Sequence, residues 1–428
     1  MRSDMHNVRV DQVDWLEVLP VLRLGRLFRS AIQPSKLLLG WLIVAGVWVL
    51  GELLAVLLAP GRAVLAESAD LRPVDRSLWY DLWIERQLTW LSGVRDGALS
   101  LNFGLDTDSS NGIVPSVLNL AYGFYELVAT APVFSLLFLL TALALAVVVG
   151  GGICRLMSRE ACLDKPAGLS EAAGFMARKL PWLLVAPLLP LLLIGSTLAL
   201  LAGLGLMLFN LPVLDVLGTL LLGILFGLGF VAALSFLGFL IGVHLFPASL
   251  AVEGSDAYDA VSRSLAYVTA KPWQLLGYAL FALAYGAATF TFMAVLAYLT
   301  FVLTRTGLDL GSFVGHTEGA LDYPDRADAI LPRGEAVVGY DASPLATRGF
   351  AGVAAWIATR WTQVLASIPM AYAVSFYFCA TVWVYLLLRR SAEGSGFNDC
   401  DASRDSVGAA FETASGGERD ATPEWESA

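Results

Sequence analysis

The stretch Glu253–Trp273, EGSDAYDAVSRSLAYVTAKPW, decides how this chain is read. At 100° per residue, Ala257, Tyr258, Val261, Leu265 and Val268 fall on one side of a helix; Asp256, Asp259 and Arg263 fall on the other. Ser255 or Asp256 can cap the start, because a short side-chain oxygen accepts one of the free backbone N–H groups there. Asp259 and Arg263 stand four apart with the acid first, the favourable order for a helix pair. Lys271 suits the negative end of the helix dipole. Pro272 stops the helix, since the residue before a proline avoids the α region. Trp273 then opens a long apolar run at the depth where indoles settle in a bilayer. The pattern predicts an amphipathic helix ahead of a membrane span, lying on lipid or packed on its own protein.

The rest of the chain agrees with a membrane setting. Of 428 residues, 57% are hydrophobic and only 15% charged, against about 25% charged in a soluble domain. Mean hydropathy is +0.68. Apolar runs longer than about 18 residues recur, enough to cross a ~30 Å hydrocarbon layer. A β-barrel would show short alternating segments instead. The expected fold is therefore all-α, a polytopic membrane helical bundle. The net charge of −10 sits largely in the tail and long loops, so it calls for no basic partner, and no nucleic acid is expected. Cys154, Cys162, Cys379 and Cys400 match no zinc spacing and imply no disulfide framework. A polar stretch precedes the first apolar run, so the first span is expected to serve as the insertion signal.

Six transmembrane helices are predicted, at about 37–59, 127–150, 182–208, 214–246, 273–304 and within 351–388. Residues 1–36 form an amphipathic N-terminal segment. In it Leu24, Leu27, Phe28, Ala31 and Ile32 share one face, and Arg23, Arg26 and Arg29 the opposite one, an arrangement suited to anionic headgroups. Before the third span, Leu169, Ala172, Ala173, Met176 and Leu180 form an apolar side, Arg178 and Lys179 follow, and Pro181–Trp182 mirrors Pro272–Trp273. The six spans group as three hairpins, each preceded by a cytoplasmic amphipathic helix. Residues 37–390 thus make the transmembrane domain, with outer loops at 60–118 and 306–350. Within the first loop, Trp79, Leu82, Trp83 and Trp90 mark an outer helix, interfacial or capping the bundle. Pro187 and Pro190 predict a kink, and the over-long fourth run a tilt or a break near Gly227–Gly229. Residues 391–428, rich in Ser, Gly, Asp and Glu, read as a disordered acidic tail. Lys36, Lys165, Lys179 and Lys271 all fall on one side, which places both termini in the cytoplasm; the expected location is the inner membrane.

No phosphate-binding loop, His-Glu-x-x-His, nucleophile elbow or Cys-x-x-Cys occurs. His6, His244 and His316 lie far apart, so no metal or cofactor is expected and no catalytic residue is assigned. Ionisable groups at membrane depth are the better lead, because they are costly there. Glu52 and Arg360 lie at similar depth and form a candidate intramembrane pair, with Arg305, Glu126 and Asp215 near the outer rim; the alternative is that each snorkels separately. Asp322, Asp325, Asp328 and Glu335 read as a solvated acidic loop. Gly195/Ala199/Gly203, Gly223/Gly227, Gly238/Gly242 and Ala282/Gly286 have small-x-x-x-small spacing, for packing within the monomer or between copies.

Glu253, Ala260, Arg263 and Ser264, followed by Lys271 and Pro272–Trp273, carry a resemblance over Pro247 to Leu276. This stretch resembles bacterial multi-pass inner-membrane proteins, including the membrane domain joined to some glycerophosphodiester phosphodiesterases. The resemblance implies a membrane domain that brings no catalytic residues with it. The expected function is that of a non-enzymatic integral membrane protein that organises partners or lipid, with membrane lipids, a homo-oligomer or other membrane proteins as partners. The alternative is a secondary transporter or permease subunit with a site between kinked helices.

Overall fold

The computed structural model describes residues 24–58, 76–100, 102–104, 112–164, 167–210, 214–314 and 349–394. All regular structure among them is helical: α1 (Leu27–Ala31), α2 (Pro34–Leu58), α3 (Arg76–Leu99), α4 (Ile113–Thr130), α5 (Pro132–Leu163), α6 (Leu169–Phe209), α7 (Leu214–Leu220), α8 (Leu222–Gly242), α9 (Phe246–Glu253), α10 (Ala257–Ala270), α11 (Pro272–Val314) and α12 (Gly349–Glu393). Seven of the described helices (α2, α4, α5, α6, α8, α11 and α12) are long and apolar enough to cross a membrane, which makes this a multi-pass membrane protein.

The count is one higher than the sequence predicts, and Pro132 is the reason. Residues 113–150 read as a loop end followed by one span. Pro132 has no N–H to donate, and Ala131 before it leaves the helical region at φ −139°, ψ 68°. The segment therefore divides into α4 and α5. The fourth predicted span also divides, but not at Gly227–Gly229, which lie inside continuous helix. It breaks at Leu221 and again at 243–245, after which α9 begins. The last helix runs on through Arg389 and Arg390 to Glu393 rather than ending at 390.

Pro181 and Pro272 carry the same Pro-Trp pair and behave differently. Lys271 is non-helical at φ −137°, ψ 54°, so α10 ends and α11 starts at Pro272. At Pro181 the helix continues, and α6 also contains Pro187 and Pro190. The predicted amphipathic segment at 169–180 is thus the first part of α6, not a helix of its own. Each proline deletes one ladder bond, and the remaining bonds carry a long helix across the gap.

The chain forms two compact units. The first comprises Met1–Trp41, Val147–Ala294 and Pro369–Ala428; the second comprises Leu42–Ala146 and Val295–Ile368. At the centre of the first unit lies the second half of α12, with Tyr372, Ser375, Cys379, Val382, Tyr385 and Leu388 buried. Phe28 of α1 packs edge-on against Tyr372 at 5.9 Å, and Ser375 Oγ donates to Ala31 O at 2.8 Å. Gly40 of α2 abuts the Ala371 carbonyl so closely that a Cβ has no room. The second unit is built on Ala55, Tyr80, Trp83, Leu127, Ala131, Phe134 and Phe138. There α3 packs on α4, and Trp83 Nε1 donates to Gly123 O at 3.2 Å. α3 is therefore packed on protein through Tyr80 and Trp83.

Candidate functional site

α9 is a helix with no exposed face: Phe246 through Val252 are all buried. A buried helix end leaves carbonyls that must find donors. Gly254 closes α9 in the left-handed region at φ 66°, a conformation glycine adopts without strain. The donors come from two other helices. Arg155 Nη1 and Ser158 Oγ of α5 both donate to Ala251 O at 3.2 Å. Lys179 Nζ of α6 donates to Gly254 O at 2.5 Å and to Ser255 O at 3.3 Å. Cations at a helix C-terminus also suit its dipole.

Around this end, charged side chains engage one another. Glu253 is nearly buried. Tyr385 Oη donates to it at 3.2 Å, Arg389 Nε approaches at 3.1 Å and Arg263 Nη1 at 3.7 Å. The Arg389 Nε approach is an ion contact rather than an aligned hydrogen bond. Glu393 pairs with Arg389 and accepts from the Tyr267 hydroxyl. Arg155, only 2% exposed, lies 3.8 Å from Glu171 and over the Phe175 ring at 5.4 Å, while Arg159 meets Glu171 at 2.5 Å. Lys36, 1% exposed, pairs with Glu160, which also accepts from Ser30 Oγ at 2.8 Å. Asp259, hydrogen-bonded to Arg263, raises the guanidinium's pKa. Burial, then Glu393, raises that of Tyr267. The arrangement holds charges fixed inside the first unit.

α10 packs with part of the face that its apolar residues predict: Ala257 and Val268 are buried and Val261 and Leu265 half-buried, but the buried side is rotated away from Tyr258. Its buried residues are Ala257, Ala260, Ser264, Tyr267 and Val268, while Tyr258 is 74% exposed. The small side chains at 260 and 264 permit close approach to neighbouring helices, and the Tyr267 hydroxyl has a carboxylate to meet. Capping and pairing follow the sequence: Asp256 accepts from Asp259 N at 2.9 Å, and Arg263 Nε reaches Asp259 at 2.9 Å.

The other expected residues are scattered. Arg26, Arg29 and Arg178 are exposed, Lys271 is half-buried, and Arg23 lies outside the described residues. Glu52 is half-buried on α2. Arg360 sits over Trp48, one turn from Glu52, at 5.8 Å and over Trp356 at 5.5 Å, and it donates to Gln363 at 2.8 Å. Glu126 pairs with Arg86 at 2.5 Å. Arg305 lines a cleft of about 210 Å³ with Phe301, Thr304, Leu308 and Trp361. The Asp215 side chain, His6, His316, the acidic loop at 322–335 and residues 395–428 lie outside the description. His244 bonds the Tyr377 hydroxyl. Cys154 and Cys379 are free and buried, whereas Cys162 is disulfide-bonded, its partner outside the described residues; the sequence implied no disulfide.

Of the small-residue pairs, Gly242 and Gly286 pack against Phe246 and Phe376, as expected for use within the monomer. Gly195, Gly203, Gly223 and Gly227 have no neighbour around a would-be Cβ. Sequence reasoning missed Lys36, Arg155, Glu160, Glu171, Glu253 and Arg389 as a set. By charge alone, Lys36, Arg155 and Arg389 read as span ends or loops. The available signal was spacing: Arg155 and Arg159 stand four apart and continue the helical period of the preceding apolar run. Among the described residues, no three His, Cys, Asp or Glu side chains gather where they could hold a metal ion. Compared with protein-family models, curated proteins and solved structures, the chain matches none.

Proposed function

We propose that this chain is a non-enzymatic membrane scaffold, which holds partner proteins or lipid at the membrane. The observation that carries the reading is the set of buried ion pairs in the first unit. Lys36, Arg155, Glu160, Glu253 and Arg389 engage one another or backbone carbonyls. A fixed set of mutually satisfied charges favours a rigid platform. A transport site needs polar groups free to exchange partners with a substrate. The faces of α6 and α8 add support. Their most apolar windows are only 11% and 6% buried, against 83% for α12. The open glycines on these faces leave room for another helix to approach. The six-span hairpin order, the cytoplasmic termini and the likeness to the phosphodiesterase membrane domain belong to this proposal. A pairing of Glu52 with Arg360 belongs to it as well.

The competing transporter reading draws on Pro187, Pro190 and Pro369 inside helices and on the cleft beside Arg305. One experiment separates the two. The full chain is extracted in mild detergent and its mass and composition are measured by mass spectrometry. The scaffold reading expects a stoichiometric complex, with a second copy or a membrane partner, that Gly203→Leu or Gly227→Leu dissociates. A lone monomer that catalyses solute counterflow in vesicles overturns it.

A further inference from the structure

α1 turns two arginines outward from a helix whose opposite side is closed off. Leu24, Leu27, Ser30 and Ala31 are buried, whereas Gly25, Arg26 and Arg29 are exposed. Three residues apart on a helix, Arg26 and Arg29 share a face. Neither guanidinium has an ion-pair partner among the described residues, while Lys36 beneath them is buried and paired with Glu160.

Connectivity ties them to the start of a span. Only Ile32 and Gln33 separate α1 from Pro34, where a helix able to span the membrane begins. Two residues reach about 7 Å when extended, comparable with the headgroup layer, roughly 5–8 Å on each side of the hydrocarbon. Nor can α1 swing away. Tyr285 Oη donates to Gly25 O at 2.9 Å, Ser375 Oγ to Ala31 O, and Ser30 Oγ to Glu160. Farther along the chain, Ile32, Leu38 and Trp41 are exposed apolar side chains. The buried apolar side of α1 excludes the simple picture of a helix floating on lipid. What remains outward is a pair of guanidinium groups close in sequence to the start of a helix able to span the membrane.

We propose that Arg26 and Arg29 form a binding site for the phosphate of an anionic membrane lipid, with its acyl chains along Ile32, Leu38 and Trp41. Guanidinium suits phosphate because its planar donors meet two oxygens at once. This site stands independently of the scaffold reading and survives its failure.

The test reconstitutes the full chain in vesicles of phosphatidylcholine mixed with phosphatidylglycerol. The lipid retained after extraction is then counted by native mass spectrometry. The wild type is expected to retain phosphatidylglycerol preferentially, and each of Arg26→Gln and Arg29→Gln to lower the preference about fivefold. Arg95→Gln, a control at an exposed arginine paired with Asp96, is expected to leave it unchanged. Helical circular dichroism identifies any variant that fails to fold. In that case a salt titration of the wild type decides, since a headgroup site of this kind weakens as ionic strength rises. No preference in the wild type, an equal loss in Arg95→Gln, or a preference indifferent to salt overturns the proposal.

Discussion

Both units have apolar and aromatic interiors, and they differ in the charges placed inside. The second unit is an aromatic core: Tyr80 stacks on Trp83 and meets Phe138 edge-on at 5.5 Å, and Phe134 stacks on Phe138 at 5.6 Å. Its ion pairs, Arg86–Glu126 and Arg95–Asp96, are at least partly exposed. The first unit places Lys36, Arg155 and Arg389 inside, each 6% exposed or less. Apolar packing is non-directional and tolerates repacking. A buried charge tolerates one partner geometry and penalises its loss. The first unit is therefore the more narrowly specified.

The largest effect tests that specification directly. Arg389→Met leaves Glu253 buried with less compensation and is expected to cost about 3–5 kcal/mol of unfolding free energy. Adding Glu253→Gln, which removes the stranded charge, is expected to recover a large part of it. A double variant as unstable as the single one breaks the contrast, because packing and not charge would then hold the unit. The counterpart in the second unit is Phe134→Ala. The residue is 1% exposed and contacts Tyr80 and Phe138. Truncation is expected to cost about 3 kcal/mol, and Phe134→Leu far less. Urea unfolding in a fixed detergent reads both series.

This contrast also marks how far the sequence could be read. Composition and apolar run length imply an α-helical membrane protein, and the structure shows helices fit to span. Asp256 as a cap and Asp259–Arg263 as a pair were legible, because local spacing alone determines them. The face of α10 was legible only in part. Apolar patterning along the helix favours burying Tyr258, whereas tertiary packing selects the small Ala260 and Ser264. The buried ion pairs were hidden for a related reason. Lys36 and Glu160 are 124 residues apart, and no local pattern joins them. A charge at a span end reads as a solvated boundary until the partner is seen.

A third prediction concerns pH at the edge of the first unit. Partial desolvation lowers the pKa of His244 below its ordinary value near 6.5, and because the side chain stays exposed the effect on stability is small. The folded state thus binds fewer protons than the unfolded state just below that pH. Stability is therefore fully present above about pH 6.5 and declines as pH falls below it. His244→Gln keeps a polar partner for Tyr377 and is expected to flatten this acid slope, while carboxylate contributions at lower pH remain. Thermal midpoints between about pH 8 and pH 5 measure it, and an unchanged slope in the variant removes His244 from the account.

The smallest expected effect lies in the second unit, and it asks whether the contrast is complete. Arg360 is exposed and held over Trp48 and Trp356, interactions worth about 0.5–1 kcal/mol at such sites. Glu52 is one turn from Trp48 on the same helix. If the two form the proposed intramembrane pair, a double-mutant cycle of Glu52→Gln and Arg360→Gln yields a coupling of about 1 kcal/mol. In that case the second unit also contains a charge contact at membrane depth, and the two units differ in degree. A coupling indistinguishable from zero ends the pairing. It would leave Arg360 as a cation settled on indole faces, and the contrast between a unit with buried charges and one without would stand unmodified.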